Sequence, residues 1–334
     1  MTRTIQISAE GSAGGPAFLN AAIAPERGML LLQAQVRLRG GETFDLLTTP
    51  DQPAFGGDDD FNGNISFSLG GAILLPYANR ITGRPVEGRR IETRVLGKTV
   101  RLPMNWGGKA DGAARYAMHG LMLDAEFEVT ARKSNRVAGR FHAGDFGGRW
   151  LSRTDVAVEY RLTQQALELE VTATNTGEAP LPMGIGWHPW FNLPSGDRSQ
   201  AVLKVPARAR AAVNNYDEVL PTGELLPNQG AYDFREGRAL GDLFLDDCFT
   251  ELTGGVAELI DPAGGFGIRV IAQAPPVTAF QVYATPERGL VVVEPQYNLA
   301  DPFSPVWRGR DTGMAVLPPG ASTKYIVRLE LFVP

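Results

Sequence analysis

The sequence predicts an all-β protein, a large sandwich of two layered sheets, on three observations. Each amphipathic stretch alternates apolar and polar residues with a period of two, and no long segment keeps a period of 3.6. The chain holds 39 Gly, against about 23 at average usage. With 24 Pro they punctuate it throughout, as turns between many short strands require. No linker of distinct composition and no fixed repeat divides the 334 residues, so one domain over 1–334 is expected.

The elements follow in order. Met29 to Leu38 alternates and ends at Gly40-Gly41, a strand and its turn. Residues 51–64 read as a polar loop. Its Asp58-Asp59-Asp60 triplet lacks the full pattern of a calcium loop and reads as a solvated turn. Residues 65–75 are apolar and small, and run into Pro76-Tyr77-Ala78-Asn79-Arg80-Ile81. Residues 86–102 alternate with several Arg, as an exposed hairpin would, and residues 105–112 form a loop. The clearest strands put Val156, Val158, Tyr160 and Leu162 on one face, then Leu167, Leu169, Val171 and Ala173, with a turn at Asn175-Thr176-Gly177. Residues 195–240 are loops with short strands. Residues 243–252 hold Asp246-Asp247-Cys248-Phe249, further strands are expected at 280–283 and 290–294, and Tyr325, Val327, Leu329 and Leu331 close the chain.

Composition narrows the function. With 43% hydrophobic and 21% charged residues the chain is a packed globule rather than a disordered one. A net charge of −5 argues against a dedicated nucleic-acid surface, and Arg208-Ala209-Arg210 reads as a solvated face. The single Cys248 excludes a disulfide framework and a Cys-rich zinc site. His119, His142 and His188 are the only imidazoles and include no close-spaced pair, so no metal is expected. Met1 to Ser8 lacks the apolar core of a signal peptide, and no run approaches the ~20 apolar residues of a membrane span. A cytoplasmic protein without membrane contact is the expectation.

The chemistry is expected to centre on Leu181 to Pro194. In a strand His188 and Trp190 share a face, a titratable group beside a flat apolar one, which suits a sugar's polar edges and C–H face. Taken alone, the window reads more simply as a histidine packed among core aromatics. Asn79-Arg80, His119-Gly120, His188 and Glu294 put polar groups where a strand pattern wants apolar residues or turns, and Asp246 and Gln281 join them. Glu294 ends the run Val291-Val292-Val293. It either emerges to solvent or sits in a pocket, where desolvation would raise its pKa toward that of a working base. Trp150, Trp187, Trp190 and Trp307 are candidate stacking platforms, of which Trp190 is chosen; His142 reads as structural or surface.

Pro76-Tyr77-Ala78-Asn79-Arg80-Ile81, Met118-His119-Gly120, Trp187-His188-Pro189-Trp190-Phe191-Asn192-Leu193, Leu245-Asp246-Asp247-Cys248-Phe249 and Glu294-Pro295-Gln296 occur in this order. Together they resemble the aldose 1-epimerase (galactose mutarotase) family from about residue 20 to the C-terminus, and its bacterial aldose epimerase branch more than galactose-specific enzymes. The resemblance implies a large antiparallel β-supersandwich with a sugar site on a concave sheet face. It implies Glu294 as general base, His188 as general acid, His119 on the ring side of the sugar, and Asn79, Arg80, Asp246 and Gln281 on its hydroxyls. It implies no cofactor and a small-molecule aldohexose or aldopentose as partner, in a monomer or homodimer. To interconvert anomers, the C1 hydroxyl must lose a proton while the ring oxygen gains one, tasks that suit a carboxylate and an imidazolium. Pro76-Tyr77, Leu121, Asp247 and Trp190 depart from the usual family residues near the hydroxyl contacts, which leaves the sugar open. The other readings are a non-catalytic carbohydrate-binding protein on the same fold, a lyase, and a hexose 6-phosphate epimerase. The last needs a cationic cluster, for which Arg80 and Arg84 are nearest in sequence.

Overall fold

The structure, a computed structural model, describes residues 3–11, 15–272 and 277–334. Met1 and Thr2, the start of the segment expected not to be a leader, lie outside them. Two large antiparallel sheets dominate. The first has eleven strands, in spatial order Ile5–Ser8, Ala17–Ala24, Leu30–Arg37, Gly71–Leu74, Gly186–Asn192, Leu290–Gln296, Ala279–Ala284, Leu245–Leu252, Ala207–Val213 and Pro221–Pro227, with Thr43–Asp45 paired beside Leu30–Arg37. The second has nine, centred on Arg136–Gly144, Thr154–Leu162, Ala166–Asn175, Ser322–Phe332 and Phe266–Ala272. Among the described residues, no helix is long and apolar enough to cross a membrane.

Alternation decides which face meets the core. Val156, Val158, Tyr160, Leu169, Val171 and Val327 of the second sheet share one apolar cluster with Trp187, Phe191, Phe280, Val282, Val291 and Val293 of the first. Each fully buried side chain of this kind contributes about 1.5–3 kcal/mol before the entropy of ordering it is charged. The intervening residues of the first sheet must then face away from that core. Register aligns them across strands: Trp190 lies opposite Val292, Glu294 opposite Gln281, and Tyr283 opposite Asp246. Paired residues share a face, so His188, Trp190, Glu294, Gln281, Tyr283 and Asp246 all project from one side of four adjacent strands.

That side is covered by segments from the first third of the chain. A three-stranded sheet of Trp106–Gly107, Arg115–Met118 and Arg80–Ile81 lies there, with the short helix Asn64–Phe67. The apolar run over 65–75 is therefore two elements, this helix and the strand Gly71–Leu74. The acidic triplet also differs from a wholly solvated turn. Asp60 is buried, pairs with Arg27 at 2.8 Å, and accepts hydrogen bonds from the Gly56 and Ile65 N–H groups, which fixes the start of the helix. Nor is Arg210 solvated. Its Nε donates to Asp247 at 3.2 Å and its guanidinium lies 3.7 Å from the centre of the Tyr232 ring.

Candidate active site

A cavity of about 300 Å³ opens on the face of the first sheet turned away from the core. The sheet supplies His188, Trp190, Asp246, Gln281, Tyr283 and Glu294; the covering segments supply Phe67, Asn79, Arg80, Trp106, Lys109 and His119, and a turn supplies Arg288. All eight residues expected to form a site from the sequence line this one cavity.

The covering segments are held by local geometry. Asn79 and His119 both adopt left-handed backbone, φ 62° and 59°, a conformation that Asn tolerates better than most residues. His119 N–H donates to the Asn79 carbonyl at 2.9 Å, and Asn79 N–H donates to His119 Nδ1 at 3.3 Å. Neutral His119 therefore carries its proton on Nε2, a donor. Gly120 follows at φ 88°, and a Cβ there would overlap the Leu75 carbonyl, which accepts from Leu121 N–H at 2.8 Å. Only glycine lets the His119 turn come this close to the segment that carries Asn79. Asn298 clamps the same segment from beneath: its Oδ1 accepts from Ala78 N–H at 3.1 Å and its Nδ2 donates to the Ala78 carbonyl at 2.9 Å.

One hydrogen-bonded chain joins four of the polar residues. Asn79 Nδ2 donates to Gln281 Oε1 at 3.0 Å, and Gln281 Nε2 to Asp246 Oδ1 at 2.6 Å. Arg80 donates to Asp246 Oδ2 at 3.1 Å and to Asn79 Oδ1 at 2.7 Å. The network fixes the orientation of four side chains that line the cavity. Trp190 is fixed by Nε1–H donating to the Phe67 carbonyl at 2.8 Å, with its ring 5.4 Å from that of His188.

His188 Nε2 lies 3.3 Å from Glu294 Oε1, and both residues are buried, at 5% and 2% exposure. His188 Nδ1 and Glu294 Oε2 have no protein partner. Burial pushes the Glu294 carboxyl well above its ordinary range; the nearby Asp246 carboxylate adds to this and Arg80 opposes it. Burial likewise pushes His188 down to about 3, and His119 well below its usual value. A free-standing imidazolium of ordinary pKa is thus not what His188 provides. The pair favours its neutral forms, with one proton between them.

A three-histidine metal site does not form. His142 stands exposed on the second sheet, 2.9 Å from Asp155. His119, His188 and Glu294 do bring their donor atoms within 4.8 Å of one another, a donor set of the type that binds zinc. A cation there would occupy the atoms of the His188–Glu294 contact.

Three readings are resolved in detail. Of the four candidate tryptophans only Trp190 lines the cavity; Trp150, Trp187 and Trp307 are buried elsewhere, with their indole N–H groups on the carbonyls of Pro182, Gly71 and Ala300 respectively. Arg84 does not reach the cavity; it is exposed and paired with Glu92 at 2.6 Å. Trp106, in a segment read as loop, is a short strand that lines the cavity and meets Phe67 edge-on, with ring centres 5.2 Å apart.

Residues 32–330 match the family described as Aldose 1-epimerase. The galactose mutarotase-like protein from Clostridium acetobutylicum is 17% identical and superimposes with a TM-score of 0.76, covering 100% of this chain and 96% of its own. The GalM/aldose epimerase homologue from C. elegans is 18% identical with a TM-score of 0.74, covering 100% and 99%. The galactose 1-epimerase from Lactobacillus acidophilus NCFM is 18% identical with a TM-score of 0.68, again covering 100% and 99%. At these identities the likeness is one of fold. No curated protein matches the sequence. The family match spans most of the chain, and the chain belongs to the aldose 1-epimerase family.

Proposed function

We propose that the chain is a cytoplasmic, single-domain aldose 1-epimerase that interconverts the α and β anomers of an aldose by acid–base ring opening and closure. The observation that carries this reading is the buried Glu294–His188 contact at 3.3 Å, with a polar atom of each left without a protein partner. Glu294 takes the proton of the C1 hydroxyl while His188 protonates the ring oxygen, and the C1–O5 bond breaks. Rotation about C1–C2 presents the other carbonyl face. His188 then recovers the proton from O5 and Glu294 returns one to O1 as the ring closes. The Asn79–Gln281–Asp246–Arg80 network holds hydroxyls, His119 donates through Nε2, and Trp190 takes the apolar ring face.

The electrostatics support this cycle. The ring-closed complex has carboxylate and imidazolium; the open-chain complex has carboxylic acid and neutral imidazole. Both hold one proton, so no exchange with solvent is needed. Burial, which raises Glu294 and lowers His188, favours the neutral pair that accompanies the open chain. With Glu294 raised and His188 lowered, the pair keeps one proton between their two titrations, so the rate should be flat across that window and fall as pH rises past the raised Glu294 value.

The test is a mutarotation panel by polarimetry over glucose, galactose, xylose and arabinose. Catalysis well above the buffer rate for at least one aldose is expected. An aldose that binds without any rate above buffer would replace this reading with a carbohydrate-binding protein.

A further inference from the structure

We infer that Asp217 is a positioning residue, which holds the Trp106 wall of the cavity in place from outside it. This rests on the mutarotase reading only for what enters the cavity. Asp217 does not line the cavity. It sits in the loop 214–220 that joins Ala207–Val213 to Pro221–Pro227 at the edge of the first sheet. The covering hairpin that carries Trp106 has little to hold it from within. Its strand Trp106–Gly107 pairs with Arg115–Met118 at two residues only, Trp106 opposite Tyr116 and Gly107 opposite Arg115. The turn between them contains Gly108 and Gly112, and Trp106 keeps 38% exposure although it lines the cavity.

The hold comes from the loop. Asp217 accepts the Lys109 N–H at 2.8 Å on one carboxylate oxygen and the Ala110 N–H at 3.1 Å on the other, just beyond Trp106 in the chain. Glu218 takes the return leg: its carboxylate accepts the Ala114 N–H at 2.6 Å, and its carbonyl accepts from the Tyr116 hydroxyl at 3.0 Å. An ionised acceptor makes these bonds stronger than a neutral one would, and they draw both carboxyls below their ordinary values. Gly108 permits the approach, because a Cβ there would lie 2.4 Å from Asp217 Oδ2. The loop is anchored in turn. Asn215 Oδ1 accepts from the Asp217 and Glu218 N–H groups, both at 2.8 Å, and fixes the bend. The Tyr216 hydroxyl donates at 2.9 Å to Asp247, on the strand Leu245–Leu252 that also carries Asp246. The loop therefore ties the covering hairpin to the floor of the cavity. Without the Asp217 grip the sugar itself must order the Trp106 wall, which lowers affinity. The Glu294–His188 pair, on the sheet, is not touched by the change.

The experiment compares the wild type with Asp217→Ala, Asp217→Asn, Trp106→Ala and the Trp106→Ala/Asp217→Ala double variant. The sugar is whichever of glucose, galactose, xylose and arabinose the wild type binds best. Anomer exchange by NMR supplies kcat and KM, calorimetry supplies Kd, and amide hydrogen exchange follows residues 106–115. Asp217→Ala should speed amide exchange over 106–115 and raise KM and Kd together about three- to tenfold, with kcat held within about twofold. Asp217→Asn keeps one acceptor oxygen and should recover part of the loss. Trp106→Ala should raise KM by itself, and adding Asp217→Ala to it should raise KM no further, since the carboxylate acts through that ring. Unchanged KM and Kd in Asp217→Ala, a loss in kcat alone, or an effect that adds in full to that of Trp106→Ala overturns the proposal and leaves the mutarotase reading intact. If Asp217→Ala does not fold, Asp217→Asn with and without Trp106→Ala makes the same comparison. A wild type that binds the sugar without turnover overturns the mutarotase reading, and the Kd values then decide the proposal by the same criteria. Binding of no sugar overturns both.

Discussion

Replacing Glu294 and His188 together by glutamine should flatten a pH dependence of stability that this pair imposes. The ordinary values are 4.5 for the carboxyl and 6.5 for the imidazole; in the fold the first is raised well above and the second lowered to about 3. For Glu294 alone, the raised value stabilises fully below 4.5 and the benefit is lost as pH rises toward the folded value. For His188 alone, the lowered value stabilises above 6.5 and the benefit is lost as pH falls toward 3. Between 4.5 and 6.5 the two slopes cancel, because folded and unfolded chains each hold one proton on the pair. Above 6.5 only the folded pair keeps its proton, and stability should fall by about 1.4 kcal/mol per pH unit until the buried carboxyl ionises. Below 4.5 the unfolded chain takes a second proton first, and about 2 kcal/mol should be lost by pH 3. Urea unfolding of both proteins across this range supplies the difference curve. Asp247, raised to about 6, titrates in both proteins and cancels on subtraction. A difference that stays constant from pH 5 to 9 would refute the buried, one-proton pair.

Further outcomes follow from the same geometry. Asp246→Asn strips the charge partner from Arg80, whose side chain is 5% exposed against 16% for Asp246. Removing one partner of a buried pair costs about 3–5 kcal/mol, and the partial exposure lowers this to roughly 2–3 kcal/mol in urea unfolding. The alkaline fall in activity should also move to lower pH, since Asp246 raises Glu294 and Arg80 lowers it. Gly120→Ala puts a methyl group against the Leu75 carbonyl at φ 88° and should cost about 2–4 kcal/mol while displacing His119, read as lost stability and lost rate together. Trp190→Ala should cost about 3–5 kcal/mol and raise KM for the sugar more than it lowers kcat. His142→Ala, at an exposed site on the second sheet, should change neither stability nor mutarotation.

Much of the fold was legible because two-residue alternation is a local signal. Val156 to Leu162 and Leu167 to Ala173 announced their faces and pair as antiparallel neighbours. The eight expected site residues were found by another route, polar groups out of place in strands and motifs in a familiar order. The cavity's other walls were hidden. Phe67, Trp106, Lys109, Tyr283 and Arg288 meet only because segments far apart in sequence fold over one sheet face, and no local pattern encodes that. Trp150, Trp187 and Trp307 looked like Trp190 because composition does not show which ring the fold turns toward the cavity. The shift of His188 was equally invisible, since desolvation belongs to the packed site and not to the residue.

Anomer exchange by the Glu294→Gln variant, measured by NMR magnetisation transfer on the best aldose with sugar affinity measured alongside, tests the acid–base claim most directly. The predicted result is a rate lowered roughly 10²–10⁴-fold, with affinity held within a few-fold. Exchange at the wild-type rate with the carboxyl gone would contradict it.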